Sequence, residues 1–210
     1  MIIASREVTF LSDGLALHGK IEGTGPSGVL LLHPHPAYGG TMDYPLLYHL
    51  SRILAPKFTV MRFNFRGVGQ SQGKFSGDGR GELRDARAAL IHLCQTTGGK
   101  SPHVVGYSFG ASTALALATM AKVEKIVCFS PSLAILEEMI DISALKIASP
   151  ILLFHGNRDE AISRAEINQL IAKLSASTEV IFEDVNTDHF YGESDLRYSL
   201  TERTLAYLLE

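Results

Sequence analysis

The feature that most constrains the fold is the alternation of short apolar runs with helix-like segments along the chain. Runs rich in Val, Ile, Leu and Phe predict strands, and apolar residues at three- and four-residue spacing predict helices between them. The predicted strands after the first turn are Val29–Leu32, Phe58–Phe63, His103–Tyr107, Lys125–Phe129, Pro150–Phe154 and Glu179–Phe182. The predicted helices cover residues 43–54, 81–95, 109–121, 133–140, 163–174 and 195–209. Strands separated by helices predict an α/β protein with a mostly parallel sheet covered on both faces.

The start of the chain departs from this alternation. Two β-prone runs, Glu7–Ser12 and Leu15–Glu22, are joined through Asp13-Gly14, which is a hairpin signal. The first two strands are therefore expected to be antiparallel, within a sheet of about eight strands. The sequence contains no repeat, low-complexity tract or linker, so we expect residues 1–210 to form one domain.

Charge and hydropathy exclude several classes of function. The net charge is −3 and the basic residues form no run, so no footprint for nucleic acid or anionic lipid is present. Residues 1–6 do not resemble a signal peptide, and no apolar run reaches the ~18–20 residues that span a bilayer. Cys94 and Cys128 are expected to be buried free thiols, which favours a cytoplasmic location. We expect the protein to be a monomer or homodimer.

The strongest chemical motif is Gly106-Tyr107-Ser108-Phe109-Gly110, which matches G-x-S-x-G. It follows a predicted strand and precedes a helix, and this strand–turn–helix context is what a nucleophilic serine on a sharp turn requires. Glycine at both ends removes the Cβ atoms that would clash in such a turn. The motif predicts that Ser108 is a nucleophile, with a glycine-rich turn capped by serine as the alternative.

Together with four other motifs, this turn makes the chain resemble the α/β-hydrolase family, and more narrowly the small lid-less bacterial members similar to dienelactone hydrolases. The other motifs are His33-Pro34-His35-Pro36, Asn64–Ser71, His155-Gly156-Asn157-Arg158-Asp159 and Asp188-His189-Phe190. The resemblance implies the α/β-hydrolase fold over nearly the whole chain. Dienelactone hydrolases use a cysteine nucleophile, and neither cysteine lies in this turn, so their activity is not expected here.

The base and the acid are predicted from chain order. In α/β-hydrolases the order is serine, acid, histidine, and His189 is the histidine that follows the candidate acids. Asp159 fits the His-Gly-x-x-Asp pattern that the resemblance suggests, with Glu160, Asp184 and Asp188 as rivals. We therefore expect Asp159 to orient His189, and His189 to activate Ser108.

The loop after Val29–Leu32 is where this fold supplies its second oxyanion donor. The first N–H should come from Phe109, directly after the nucleophile. Pro34 and Pro36 have no N–H, so His35 is the expected second donor and Ala37 the next candidate. A metal site at His33 and His35 is the alternative, but the sequence supplies no further ligand nearby. Gly67-Val68-Gly69 lacks the spacing of a dinucleotide-binding motif, so no metal or cofactor is expected.

These features predict a serine hydrolase that cleaves carboxylic esters of small or accessible substrates. Residues 130–149 are too few for a lid between two core strands, which argues for an open site. A thioesterase, peptidase or acyltransferase of the same fold, and a non-catalytic binding module, remain as alternatives.

Overall fold

The computed structural model describes residues 4–210, which contain one eight-stranded sheet in the order β1-β2-β4-β3-β5-β6-β7-β8. Strands β1 and β2 pair antiparallel across the Asp13-Gly14 turn, β2 pairs antiparallel with β4, and the remaining neighbours are parallel. The predicted mixed sheet is therefore confirmed. Its strands are β1 (Ser5–Ser12), β2 (Leu15–Glu22), β3 (Gly28–Leu32), β4 (Thr59–Phe63), β5 (His103–Tyr107), β6 (Ile126–Phe129), β7 (Ile151–Gly156) and β8 (Val180–Val185).

Helices cover both faces of this sheet, as predicted. They are α1 (Pro45–Leu54), α2 (Arg80–Thr96), α3 (Phe109–Ala118), α4 (Leu133–Met139), α5 (Arg164–Leu174) and α6 (Ser194–Leu209). One apolar cluster packs α1 and α6 against one face, and a second packs α2, α3, α4 and α5 against the other. Residues on both faces of β3, β4, β5 and β6 are buried, which explains their continuous apolar runs.

The largest differences from the sequence prediction lie at the ends of β7 and β8. Pairing continues past the apolar runs, with His155 opposite Asp184 and Gly156 opposite Val185. Hydrophobic patterning does not mark polar His155 and Asp184 as strand residues, so the sequence predicts carboxyl ends of β7 and β8 that are too short. Helix α3 ends at Ala118 instead of residue 121, where the chain turns. The longer strands matter because the loops after β7 and β8 carry Asp159 and His189.

Between β6 and β7 the chain forms α4 and a short 3₁₀ turn at Ile142–Ala144, so no lid domain covers the sheet edge. Within residues 4–210, no helix has both the length and the apolar character needed to cross a bilayer. Cys94 and Cys128 are unpaired, as predicted, but only Cys128 is fully buried, whereas Cys94 is half-buried.

Candidate active site

Ser108 lies at the turn between β5 and α3, with φ 53° and ψ −116°. A Cβ on Gly106 would lie 2.2 Å from the carbonyl oxygen of Gly110, and a Cβ on Gly110 would lie 2.2 Å from that of Leu32. Both glycines are therefore required by close backbone approach. The left-handed conformation of a non-glycine residue is strained, and such strain is common where a side chain must be presented for chemistry.

The three predicted catalytic side chains meet above the carboxyl edge of the sheet. The Oγ atom of Ser108 lies 3.1 Å from Nε2 of His189, and Nδ1 of His189 lies 2.8 Å from Oδ2 of Asp159. Both distances are those of hydrogen bonds. With Nδ1–H donating to the carboxylate, the neutral ring presents Nε2 as an acceptor toward the serine hydroxyl. The arrangement can remove a proton from Ser108.

Asp159 is the acid that the structure pairs with His189, and its side chain is fully buried. Its second oxygen, Oδ1, accepts hydrogen bonds from the N–H groups of Ala161 and Ile162, each at 2.9 Å. Burial alone would raise the pKa of Asp159, but the hydrogen bonds from His189 and from the Ile162 N–H bring that pKa below its ordinary value. The carboxyl group is therefore ionised at neutral pH.

The rival acids make other contacts. Asp188 is exposed and accepts the Phe190 N–H at 2.9 Å, while Asp184 pairs with Arg164 at 2.8 Å. Glu160 is exposed. Neither Asp184 nor Asp188 is thus free to orient the imidazole as Asp159 does.

Two bonds from the His33 ring fix the start of the loop that follows β3. Its Nδ1 donates to the carbonyl oxygen of Pro34 at 2.7 Å, and its Nε2 accepts the Phe65 N–H at 3.0 Å. Burial lowers the pKa of His33 to about 4, so the ring is neutral and can accept at Nε2. The loop is thereby tied to the chain after β4.

The His35 ring decides between the two candidate oxyanion donors. Its Nδ1 accepts the Ala37 N–H at 3.1 Å, capping the short 3₁₀ turn Pro36–Tyr38, so that N–H is occupied. The main-chain N–H groups of His35 and Phe109 donate no hydrogen bond to any residue in the part of the chain that is described. Because both nitrogens of the His33 ring make hydrogen bonds within the protein, His33 has no nitrogen left to bind a metal together with His35.

Arg66 fixes the loop between β4 and α2 by donating hydrogen bonds to both carboxylate oxygens of buried Asp85, at 3.0 and 2.7 Å. The same loop brings Phe75 against His35 and Phe109, with ring centroids 4.8 and 5.9 Å apart respectively. The sequence analysis missed Phe75, although it is a large apolar residue within a glycine-rich stretch.

An open cavity of about 390 Å³ lies beside Ser108 and contains no acidic or basic side chain apart from its histidines. Of the aromatic residues that flank the predicted catalytic loops, Tyr38, Tyr107 and Phe190 line it, whereas Phe109 and Tyr191 are buried elsewhere. The sequence did not identify the other lining residues, because loops distant in the chain bring them together. The complete lining is Pro34, His35, Tyr38, Tyr44, Tyr107, Ser108, Ile135, Ala161, Ile162, His189 and Phe190.

A second cavity of about 650 Å³ adjoins the first and shares Ala161, His189 and Phe190 with it. Its remaining lining is mostly polar and includes Arg158 and Glu160. His189 therefore stands at the boundary between an apolar space, which Ser108 lines, and a polar one.

Comparisons with known proteins find relatives that match most or nearly all of the chain. A family described as alpha/beta hydrolase fold matches residues 29–145. An uncharacterized protein of Rickettsia prowazekii is 35% identical over 188 residues, covering 82% of this chain and 78% of that protein. A crystal structure of a putative alpha/beta hydrolase from Agrobacterium tumefaciens has a TM-score of 0.82 at 31% identity, covering 97% of this chain and 94% of that one. An alpha-beta serine hydrolase homologue from Coxiella burnetii has a TM-score of 0.84 at 25% identity and covers 99% of both chains.

Proposed function

The chain belongs to the α/β-hydrolase fold family, and on this premise we propose that it is a serine hydrolase that cleaves carboxylic esters. The observation that carries the proposal is the unbroken hydrogen-bonded line from Ser108 through His189 to buried Asp159. A serine hydroxyl is a weak nucleophile unless a base accepts its proton and a third group holds that base in one tautomer. Here His189 lies within hydrogen-bond distance of Ser108, and Asp159 lies within hydrogen-bond distance of His189.

The reaction proceeds in two halves. His189 accepts the Ser108 proton as Oγ attacks the ester carbonyl, and the imidazolium is stabilised by the ionised Asp159. The same proton then passes from Nε2 to the departing alkoxide, which leaves as the alcohol. Water, deprotonated by His189, then attacks the acyl-enzyme carbonyl and the bond from the acyl group to Ser108 Oγ breaks. His189 returns the proton to Oγ, which releases the acid and restores the Ser108 hydroxyl. The residues of the chain supply every proton transfer, so the mechanism needs no metal or organic cofactor.

The oxyanion formed in each half is stabilised by the N–H groups of Phe109 and His35. These donors belong to the main chain, and neither has an acceptor within the described residues. Donors fixed in advance cost no reorganisation when charge develops, and one such donor contributes about 10²–10³ in kcat in a well-studied protease. The N-terminus of α3 adds a favourable dipole at the same point.

The cavities suggest which esters are accepted. The 390 Å³ cavity offers apolar and aromatic walls and no cationic side chain to pair with a carboxylate. We therefore propose small, uncharged acyl groups for this side. The adjoining polar cavity would hold the alcohol. With no lid over the site, adsorption to a lipid interface is not needed to open it.

A substrate panel tests this proposal. Short uncharged acyl esters of p-nitrophenol should be hydrolysed well, and the hemisuccinate ester, which carries an acyl carboxylate, should have kcat/KM at least about tenfold lower because it lacks a counter-ion in the cavity. Ser108→Ala should abolish every catalysed rate. Preference for thioesters or peptides over esters would redirect the assignment to those classes, and transfer of the acyl group to an added alcohol in preference to water would make the protein an acyltransferase.

A further inference from the structure

Strained backbone is concentrated around the proposed catalytic residues. Among the described residues, four that are not glycine have positive φ: Asp13 at 49°, Ser108 at 53°, Ser130 at 45° and Tyr191 at 52°. Asp13 is in the first hairpin turn, where such a conformation is common. Ser108 is explained by the sharp turn that presents it. Ser130 and Tyr191 are in different loops, and the mechanism described above uses neither.

These two strained residues contact each other. The hydroxyl oxygens of Ser130 and Tyr191 are 2.9 Å apart, and both residues are fully buried. The Tyr191 hydroxyl also lies 3.4 Å from the carbonyl oxygen of Phe154, and Oγ of Ser130 lies 3.4 Å from Nδ1 of His155. The pair thus connects the end of β6, the end of β7 and the loop after β8.

The Tyr191 ring extends this connection to the nucleophile. It packs edge-on against Tyr107 and Phe129, with centroids 5.8 and 5.7 Å apart. The Phe129 carbonyl oxygen accepts the Ser108 N–H at 2.8 Å, and the Tyr107 hydroxyl donates to the carbonyl oxygen of His189 at 2.8 Å. One buried tyrosine therefore contacts the neighbours of both the serine and the histidine.

We propose that Ser130 and Tyr191 form a positioning pair that holds His189 within reach of both Ser108 and Asp159. The proposal rests on the proposed function. Tyr191 follows His189 by two residues. A strained turn anchored by the Tyr191 hydroxyl therefore fixes the position of the His189 backbone, from which the imidazole extends. Strain of this kind is costly and persists only where the surroundings impose it.

The electrostatics of Asp159 agree with this role. Burial would raise the pKa of Asp159, but hydrogen bonding from His189 and from the Ile162 N–H, with a smaller contribution from Ser130, holds that pKa below its ordinary value. A pair that keeps His189 in place therefore also supports the ionised state of Asp159. Neither Ser130 nor Tyr191 lines the cavity beside Ser108, so neither is placed to touch substrate.

The test removes one hydroxyl and leaves the ring. Tyr191→Phe should lower kcat on an activated ester by about tenfold or more, since a displacement of 1 Å can cost about 10²-fold. KM should stay within about twofold, because the cavity is unchanged. Tyr207→Phe is the matched control, since Tyr207 is a buried tyrosine of the same apolar cluster whose hydroxyl has no partner within residues 4–210. Its kcat should equal that of the wild type.

Ser130→Gly provides the second arm, because glycine accepts the same positive φ and lacks the hydroxyl. This variant should lower kcat by about as much as Tyr191→Phe does. The double variant should be no slower than the slower single variant, because both substitutions break the same contact between the two hydroxyls. A kcat within twofold of wild type in a folded Tyr191→Phe, or independent effects that multiply in the double variant, would overturn the proposal. If Tyr191→Phe does not fold, Ser130→Gly decides alone by the same criterion.

A wild type that hydrolyses no ester would contradict the proposed function instead. The positioning pair would then be judged from the rate at which an organophosphonate labels Ser108. That rate should fall by about tenfold in Tyr191→Phe for the same geometric reason, and an unchanged rate would overturn the pair.

Discussion

The two sides of the site are built on opposite principles. On the oxyanion side, residues 33–38 with Phe75 and Phe109, the proposed working groups are main-chain N–H groups, and side chains serve to hold the backbone. On the acid–base side, the proposed working groups are the side chains of Asp159 and His189, and main-chain groups serve to hold Asp159. Replacing a side chain therefore removes a working group on one side and only a support on the other.

This difference orders the expected effects of mutation. Substitutions on the acid–base side should act directly on proton transfer, with large losses in kcat. Substitutions on the oxyanion side leave the N–H groups in the chain and should act through displacement, with smaller losses. The predictions below follow that order.

The largest effect is expected for Asp159→Asn. Asparagine keeps the size but loses the charge and can favour the wrong tautomer of His189, a change that costs about 10⁴ in kcat in the serine protease used as the reference case. The matched control is Asp188→Asn, since Asp188 is exposed and accepts the Phe190 N–H. It should cost about tenfold or less by the same comparison. Steady-state kinetics on one activated ester, with circular dichroism to check folding, gives both values, and the reverse order would move the acid to the other loop.

A smaller effect is expected on the oxyanion side for Phe75→Ala. Loss of the ring removes packing from His35 and Phe109 together, and the donors should shift relative to Ser108. We expect kcat to fall by about tenfold with KM within twofold, and Phe75→Leu to recover most of the rate.

Phe182→Ala is the matched control for this deletion. Phe182 is also a half-buried phenylalanine that packs on the same apolar cluster, but it lies on the edge strand β8. Both alanine variants should lose similar thermal stability, measured by calorimetry. If Phe182→Ala lowers kcat as much as Phe75→Ala, the loss reflects general loosening and the support role of Phe75 is wrong.

Acidification should weaken the support of the oxyanion loop. Burial lowers the folded-state pKa of His33 to about 4, so the unfolded chain takes up this proton first, below about pH 6.5. The stability contributed by neutral His33 is complete above that pH and is lost as the pH falls toward 4. The pKa of Asp159 is also lowered, but from 3.8, so its contribution is lost only below that pH. Between pH 7 and 5 the stability lost through His33 is therefore about 2 kcal/mol, and the ionisation of Asp159 contributes nothing to that loss.

His103, at the amino end of β5, provides a control for this measurement. Burial also lowers the pKa of His103 to about 4, and its Nδ1 has no partner among the described residues. His103→Phe should remove about 2 kcal/mol of the loss between pH 7 and 5 without changing activity at neutral pH. Chemical denaturation at each pH measures both quantities. A free energy of unfolding that stays constant from pH 7 to 5 would contradict the neutral, buried state of both rings.

The sequence predicted the class of fold and the order of its elements because the apolar runs are strong and the hairpin turn is clear. From the chain order typical of the family, it predicted the three side chains that the structure brings within hydrogen-bond distance, and their catalytic roles remain proposals. It predicted β7 and β8 too short, since His155 and Asp184 pair within the sheet despite their polarity. It could not find Phe75 or Ser130, and it identified Tyr191 only as an aromatic residue beside the catalytic loops, because their contacts join loops far apart in the chain. The single domain, the cytoplasmic location and the oligomeric state remain predictions.

The most direct measurement of the central claim is the site of reaction with an organophosphonate probe. Such a probe reacts with a serine that a neighbouring base activates and mimics the oxyanion of ester cleavage. Intact mass spectrometry should show one adduct on the native protein, peptide mapping should place it on Ser108, and Ser108→Ala should remain unlabelled. An adduct on another residue, or labelling that persists in Ser108→Ala, would contradict the assignment of Ser108 as the nucleophile.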